Sequence, residues 1–320
     1  MLNRARPRGF TLLELIVVIT LLAIISIAAA IVLREPIRGY DDARSRAELT
    51  DAADSALRRI GRDLRQALPN SIRVKTVGGS CPSAPCSTFV ESLLVRTGGR
   101  YRASLDGAGA GDVLNFAASD AAFDTLGPLS LLPGQAIQSN DVVVIFNLNS
   151  SAAVTQSNAY TYNQAAGGLN CTSATPSSAN CNTARVSGAD TAGALPNERN
   201  IPIDARQFPQ SSAGNRFHVV SGPVSFVCTL PSPALDANGN GRGTLDRVSG
   251  YTIAISQPGP AFAGAPVTGR LANFVTACDV QYDAVTSLPT FVGLFTLRLT
   301  LTRKSETVTL YQEVHVSNVP

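Results

Sequence analysis

The chain has 320 residues, 26 Lys plus Arg against 23 Asp plus Glu for a formal net charge of +3, and 44% hydrophobic against 15% charged residues. That balance belongs to a folded globular chain and excludes an intrinsically disordered one, while so small a net charge gives no argument for a polyanionic partner. The length accommodates a membrane helix plus one large domain or two small ones.

The N-terminus is a basic leader. Arg4, Arg6 and Arg8 occur before residue 9 with no acid among them, and the 24 residues from Phe10 to Leu33 carry one charge, Glu14. As a helix that run is about 36 Å long, enough to cross a hydrocarbon core of roughly 30 Å with some tilt. The positive-inside rule keeps the leader in the cytoplasm and sends the remainder outward. Glu14 is costly in such a segment. It admits three readings: a carboxylate at the headgroup level without a partner, part of a secretory signal cut near Ala28-Ala29-Ala30, or part of a processing and assembly signal.

The stretch Arg8-Gly9-Phe10-Thr11-Leu12-Leu13-Glu14 resembles the type III (prepilin) signal of type IV pilins and type II secretion pseudopilins. The resemblance implies that a prepilin peptidase cuts after Gly9 on the cytoplasmic side and methylates the new amine of Phe10. Glu14 then becomes the fifth residue of the mature chain. The Phe10 ammonium and the Glu14 carboxylate of a neighbouring subunit would each find a partner only in an assembled filament.

Pro36 and Gly39 are expected to kink or loosen the helix as it leaves the membrane. Over 34–69 an amphipathic pattern continues the spine: Leu49, Ala52, Ala53, Ala56, Leu57, Ile60, Leu64, Ala67 and Leu68 keep a 3.6-residue spacing until Pro69 stops it. Asp51, Asp54, Arg58, Arg59, Arg62, Asp63 and Arg65 fall on the other faces. That basic cluster reads either as a nucleic-acid or phosphate site or as a solvated face laced with pairs such as Asp54 with Arg58. No aromatic residue interleaves the arginines, which disfavours nucleic acid.

After Pro69 the period becomes two. Residues 72–77 read as a half-buried strand, and 93–103 as a hairpin turning at Gly98-Gly99. Further strands are predicted at 112–116, 141–148, 217–220, 224–230, 251–256 and 280–283. A final hairpin places Phe295, Leu297, Leu299 and Leu301 on one face, turns at 303–305, and returns through Val308, Leu310, Gln312, Val314 and Val316. The fold expected is α+β: a long N-terminal helix, transmembrane over 10–33 and amphipathic over 34–69, packed on a large antiparallel β-rich domain over 70–320. Residues 149–200, rich in Ser, Thr, Asn, Ala and Gly, are expected to be a long surface loop.

All six cysteines follow the apolar segment. Three disulfides are expected, because the spacings fit a zinc site poorly and the exported side is oxidising; six cysteines allow about 15 pairings, of which the sequential one, Cys81–Cys86, Cys171–Cys181 and Cys228–Cys278, is favoured. Asp236-Ala237-Asn238-Gly239-Asn240-Gly241 resembles the opening of a calcium loop, but the twelfth position is Arg247 where a bidentate glutamate belongs, so a Gly/Asn turn competes with it. His218 and His315 fall in predicted strands without a catalytic motif, and no enzyme activity, cofactor or metal is expected.

The segments Gly39-Tyr40, Ala47 to Ile60, Ala67 to Ser71 and His315-Val316-Ser317-Asn318-Val319-Pro320 are similar to MshO-type minor pilins of mannose-sensitive haemagglutinin (MSHA) pili, themselves similar to J-type minor pseudopilins of type II secretion. The resemblance covers roughly the first 77 residues and the C-terminal strands. It implies a low-abundance subunit that helps initiate or cap a filament, with other minor and major pilins, the prepilin peptidase and an inner-membrane assembly platform as partners. Before assembly it would cross the inner membrane once, with its bulk in the periplasm. A signal-anchored periplasmic binding module or adhesin is the alternative.

Overall fold

The structure, a computed structural model, describes residues 10–79, 81, 85–129, 132, 134–151, 157–162, 182–285 and 292–319, with only the backbone at 33–38. It divides into two compact units, residues 1–49 and 50–320. One helix, α1 (Leu12–Arg65), begins in the first unit and ends in the second. The helix continues unbroken through Pro36 and Gly39.

Within the second unit the predicted apolar stripe is the buried one: Ala53, Ala56, Leu57, Ile60 and Leu64 are all at most 3% exposed. The helix stops at Arg65 rather than at Pro69 because the backbone finds other partners. Val95 N donates to Gln66 O at 2.9 Å and Leu68 N to Leu93 O at 2.7 Å, so the chain joins a strand before the proline is reached.

Twelve strands follow among the described residues: β1 (Arg73–Gly78), β2 (Cys86–Arg100), β3 (Asp120–Asp124), β4 (Val142–Val144), β5 (Thr183–Arg185), β6 (Thr191–Ala192), β7 (Arg199–Arg206), β8 (Arg216–Leu230), β9 (Gly243–Tyr251), β10 (Gly264–Val285), β11 (Val292–Arg303) and β12 (Glu306–Ser317). The main sheet runs in the order β1-β2-β8-β9-β10-β11-β12, with β4 and β5 attached at β8, and β3-β7-β6 form a second sheet. Every pairing is antiparallel. The expected α+β architecture, an apolar N-terminal helix followed by a large antiparallel sheet domain, is the one found.

Ile60 lies over the main sheet, around a small void it shares with Val90, Phe226, Leu245, Phe295 and Leu297. Gly61 lets the helix approach β12 closely, since a Cβ there would sit 3.0 Å from Gln312 Nε2 and 3.5 Å from Val314 Cγ2. The final hairpin has the predicted faces, with Phe295, Leu297, Leu299, Leu301, Val314 and Val316 buried. Its two-residue turn, Lys304-Ser305, has φ of 50° and 67°, as a type I′ turn requires.

Several expectations give way to tertiary pairing. No hairpin turns at Gly98-Gly99: both lie inside β2, opposite His218 and Phe217 of β8. A Cβ on Gly98 would meet Phe217 O at 2.9 Å and one on Gly99 would meet Phe217 Cε1 at 3.1 Å, so these glycines serve close strand approach. Residues 112–116 and 252–256 form no strand. The two strands predicted at 217–220 and 224–230 are one, β8, with a register shift near Gly222.

Of the long surface loop expected over 149–200, residues 152–156 and 163–181 lie outside the described residues, and much of the rest is not a loop. Ser157–Tyr162 is an ordered, buried turn in which Tyr160 is fully enclosed, packed with Leu68, Leu93, Val142 and Ile253, and residues from 182 onward supply β5, β6 and the start of β7. The reason is aromatic burial: Tyr160 and Tyr162 enter a core that the polar composition around them hides.

Candidate functional site

The N-terminal helix presents the most distinctive surface. From Leu12 to Val32 it is 21 exposed residues, with a stretch of mean hydropathy 3.2, long and apolar enough to cross a membrane by length and composition. Phe10 is 83% exposed and Leu12 77%. So much contiguous apolar surface requires a cover other than water, whether lipid or the helices of other chains.

Glu14 is engaged in starting this helix. Thr11 N and Thr11 Oγ1 each donate to Glu14 Oε2 at 3.2 Å, and Glu14 N donates to Thr11 Oγ1 at 3.2 Å. This reciprocal pair is a capping box: Thr11 is the N-cap and Glu14, three residues on, satisfies a backbone N–H that the first turn leaves without a partner. The helix dipole also favours an acid in that first turn. The signal was legible as Thr-x-x-Glu at 11–14, and reading Glu14 only as a charge in an apolar run missed it. The cap holds the acid beside the N-terminal end of the helix, where a free amine at Phe10 would lie four residues away in sequence. Gly9 and the basic leader lie outside the described residues.

Residues 4–30 match the family described as the prokaryotic N-terminal methylation motif. The chain carries a type IV pilin-like prepilin signal. Such a signal implies pilin-family partners in general and processing by a prepilin peptidase. No curated protein matches the chain, and no solved structure matches it. Of the three readings of Glu14, the prepilin signal is therefore the one with independent support.

The other candidate residues are placed as follows. Cys81 pairs with Cys86 and Cys228 with Cys278. Cys171 and Cys181 lie outside the described residues. Cys81–Cys86 closes the turn between β1 and β2, whose last and first residues, Gly78 and Cys86, are paired. Cys228–Cys278 joins β8 to β10 across the intervening β9.

Two arginines of the cluster are held by acids. Arg58 Nε lies 2.7 Å from Asp54 and Arg59 Nε 3.4 Å from Asp63. Asp63 is not on a solvated face as the helical spacing predicts: it is 3% exposed and also bonded by Arg247 Nε of β9 at 2.7 Å. A helix-to-sheet ion pair thus takes up part of the cluster that could have been a phosphate site.

In the calcium-like loop, Asp236 Oδ1 accepts Asn238 N and Asn240 N, both at 2.8 Å, and Oδ2 accepts Asn240 Nδ2 at 3.1 Å. These donors, Asn240 first, lower the Asp236 pKa. The loop in turn braces the last hairpin: Asn240 Oδ1 accepts Lys304 N at 2.9 Å and Gly239 O accepts Ser305 N at 3.0 Å. It is a side-chain-bonded Gly/Asn turn. Among the described residues no group of three or more His, Cys, Asp or Glu is placed to hold a metal ion. His218 and His315 sit on β8 and β12, which three strands separate.

Sequence reasoning also missed a buried polar centre. β1 was expected to bury its apolar face, yet Val74 is 37% exposed while Arg73 and Lys75 point inward. Arg73 Nε lies 2.6 Å from Glu91, its Nη1 and Nη2 donate to Ile255 O and Ala254 O at 2.6 and 2.8 Å, and its guanidinium stacks 3.6 Å above the Tyr160 ring. Tyr251 Oη donates to Glu91 Oε1 at 2.9 Å. Burial pushes the Glu91 pKa up, against the pull of the Arg73 charge.

Proposed function

We propose that this chain is a minor pilin or pseudopilin-like subunit, one that helps to initiate or cap a type IV pilus of the MSHA kind or a type II secretion pseudopilus. The observation that carries the reading is the prepilin signal over residues 4–30, running into an apolar helix that none of the described residues covers. The role is structural rather than catalytic. The bare helix packs against the helices of other minor and major pilins, while the disulfide-stapled sheet domain stands outside. Before assembly the chain spans the inner membrane once, with its bulk in the periplasm, and engages the prepilin peptidase and the assembly platform.

A signal-anchored periplasmic binding module or adhesin is the competing reading, favoured by the size of the 50–320 unit. The two differ in covalent structure at the N-terminus. Mass and N-terminal sequence of the protein purified from membranes are expected to give a chain beginning at methylated Phe10. An intact Met1 would establish the anchor, and a new N-terminus near Ile31 would establish a secretory signal.

A further inference from the structure

A concave cleft of about 530 Å³ opens in the 50–320 unit where the end of α1, β2, β8 and the C-terminal strand come together. Among its lining residues are Arg65, Arg96 and Arg216, with Gln66, Thr97, Gln135 and Ser317 as further polar groups and no Asp or Glu. Its volume is in the range of ligand-binding clefts.

The cations are arranged unequally. Arg96 is preorganised: its Nε is 2.7 Å from Asp141, its side chain is 15% exposed, and Asp141 is itself buried. Arg96 is also the extra residue of a β-bulge, because Val95 pairs with Val220 and Thr97 with Val219, leaving Arg96 unopposed. Bulges re-aim side chains and are common beside functional sites. Arg65 and Arg216 are exposed at the cleft, and neither has an ion-pair partner among the described residues. Gly98 permits the close backbone approach beneath them.

We propose that this cleft is a docking site for an acidic peptide segment of a partner protein, whose carboxylates are clamped by Arg65 and Arg216 over a floor held by Arg96. Arginine suits this work because its planar fork meets a carboxylate with two parallel N–H donors. The lining also offers apolar contact from Ala67, Pro69, Val95 and Val319, which an aliphatic backbone and side-chain stem can use. The cleft has no Phe, Tyr or Trp to stack a base, and its one ring, His218, is only partly exposed, so a single-stranded nucleic acid fits it poorly. The proposal stands whether or not the chain joins a filament.

The test uses the full chain in non-ionic detergent and a fluorescein-labelled tetra-aspartate peptide, with tetra-asparagine as the neutral control. Saturable binding of the acidic peptide is expected, weakening as salt rises, with no binding of the neutral one. The double variant R65Q/R216Q should lose at least about tenfold in affinity, R65K/R216K should recover part of it, and R58Q, which removes one positive charge elsewhere, should change it less than about twofold. Equal losses in R58Q and in either R65Q or R216Q alone would reduce the effect to net charge and overturn the proposal. Binding of tetra-asparagine with similar affinity, or competition by inorganic sulfate at the same concentration as the peptide, would overturn the peptide assignment. Should the double variant fail to fold, the single R216Q protein and the salt dependence of the wild type decide the same question.

Discussion

Arg73 Nε stands 2.6 Å from Glu91 Oε2, with the Arg73 side chain 9% exposed and Glu91 fully buried. This pair ties an edge strand to its neighbour and, through the other guanidinium nitrogens, to Ala254 and Ile255. Removing one partner from such a pair leaves a buried charge uncompensated, at a cost of about 3–5 kcal/mol, whereas replacing both by apolar groups is often neutral. Arg73→Met should therefore destabilise the domain by several kcal/mol in urea unfolding followed by circular dichroism, and Arg73→Met with Glu91→Leu should recover most of the loss. A double variant no more stable than the single one would mean that the bonds to Ala254 and Ile255, rather than the charge pairing, carry the effect.

The half-buried His218 gives the domain an acid-sensitive limb. Burial, with the Arg216 charge adding to it, lowers its pKa from 6.5 to about 4. Below 6.5 the unfolded chain takes up a proton that the folded chain refuses until about 4, so stability falls as pH drops through that window and the loss is complete below it. The full extent is about 3 kcal/mol, less whatever solvent screening removes. Glu91 acts in the opposite sense: its raised pKa lets the folded chain hold a proton more readily, so its contribution declines as pH rises past 4.5. His218→Gln should isolate the first effect, flattening the stability profile between pH 7 and 4.5. An unchanged profile would show that His218 is protonated freely in the folded protein.

The two disulfides among the described residues should differ in weight. Cys228–Cys278 spans a sequence separation of 50 and Cys81–Cys86 one of 5. In the chain-entropy account, closing the longer loop stabilises by about 4 kcal/mol and the shorter by about 2. Replacing Cys228 and Cys278 together by Ser should lower the urea midpoint about twice as far as replacing Cys81 and Cys86. Non-reduced peptide mapping of exported protein should also join Cys171 to Cys181, and a Cys171–Cys228 peptide would refute the sequential scheme.

Glu14 has two separable roles, as a cap and as a charge. Gln can accept the same Thr11 bonds at the third helical position, so Glu14→Gln keeps the capping box and discards the charge, while Glu14→Ala discards both. If assembly rests on the charge, both variants should insert in the membrane and be cut at Gly9, yet both should co-purify poorly with other pilins. Normal co-purification of Glu14→Gln alongside failure of Glu14→Ala would assign the role to the cap instead.

What the sequence determined by itself was whatever local order encodes. The apolar run after a basic leader, the 3.6-residue stripe from Ala53 to Leu64 and the alternating final hairpin each follow from short-range order, and the fold obeys it there. Tertiary structure decided the rest, wherever a residue's partner lies far along the chain. Gly98-Gly99 spells a turn locally but is strand, because Phe217 and His218 need a flat neighbour without Cβ atoms. Arg73 and Lys75 spell a solvated face but point inward, because Glu91 and the carbonyls of Ala254, Ile255 and Gln257 await them. Tyr160 sits in a polar stretch and is nevertheless core, and Arg65, Arg96 and Arg216 become one cleft only when α1, β2 and β8 meet. Periodicity records which way a side chain points relative to its neighbours in sequence. It carries no record of what fills the space that the side chain points into.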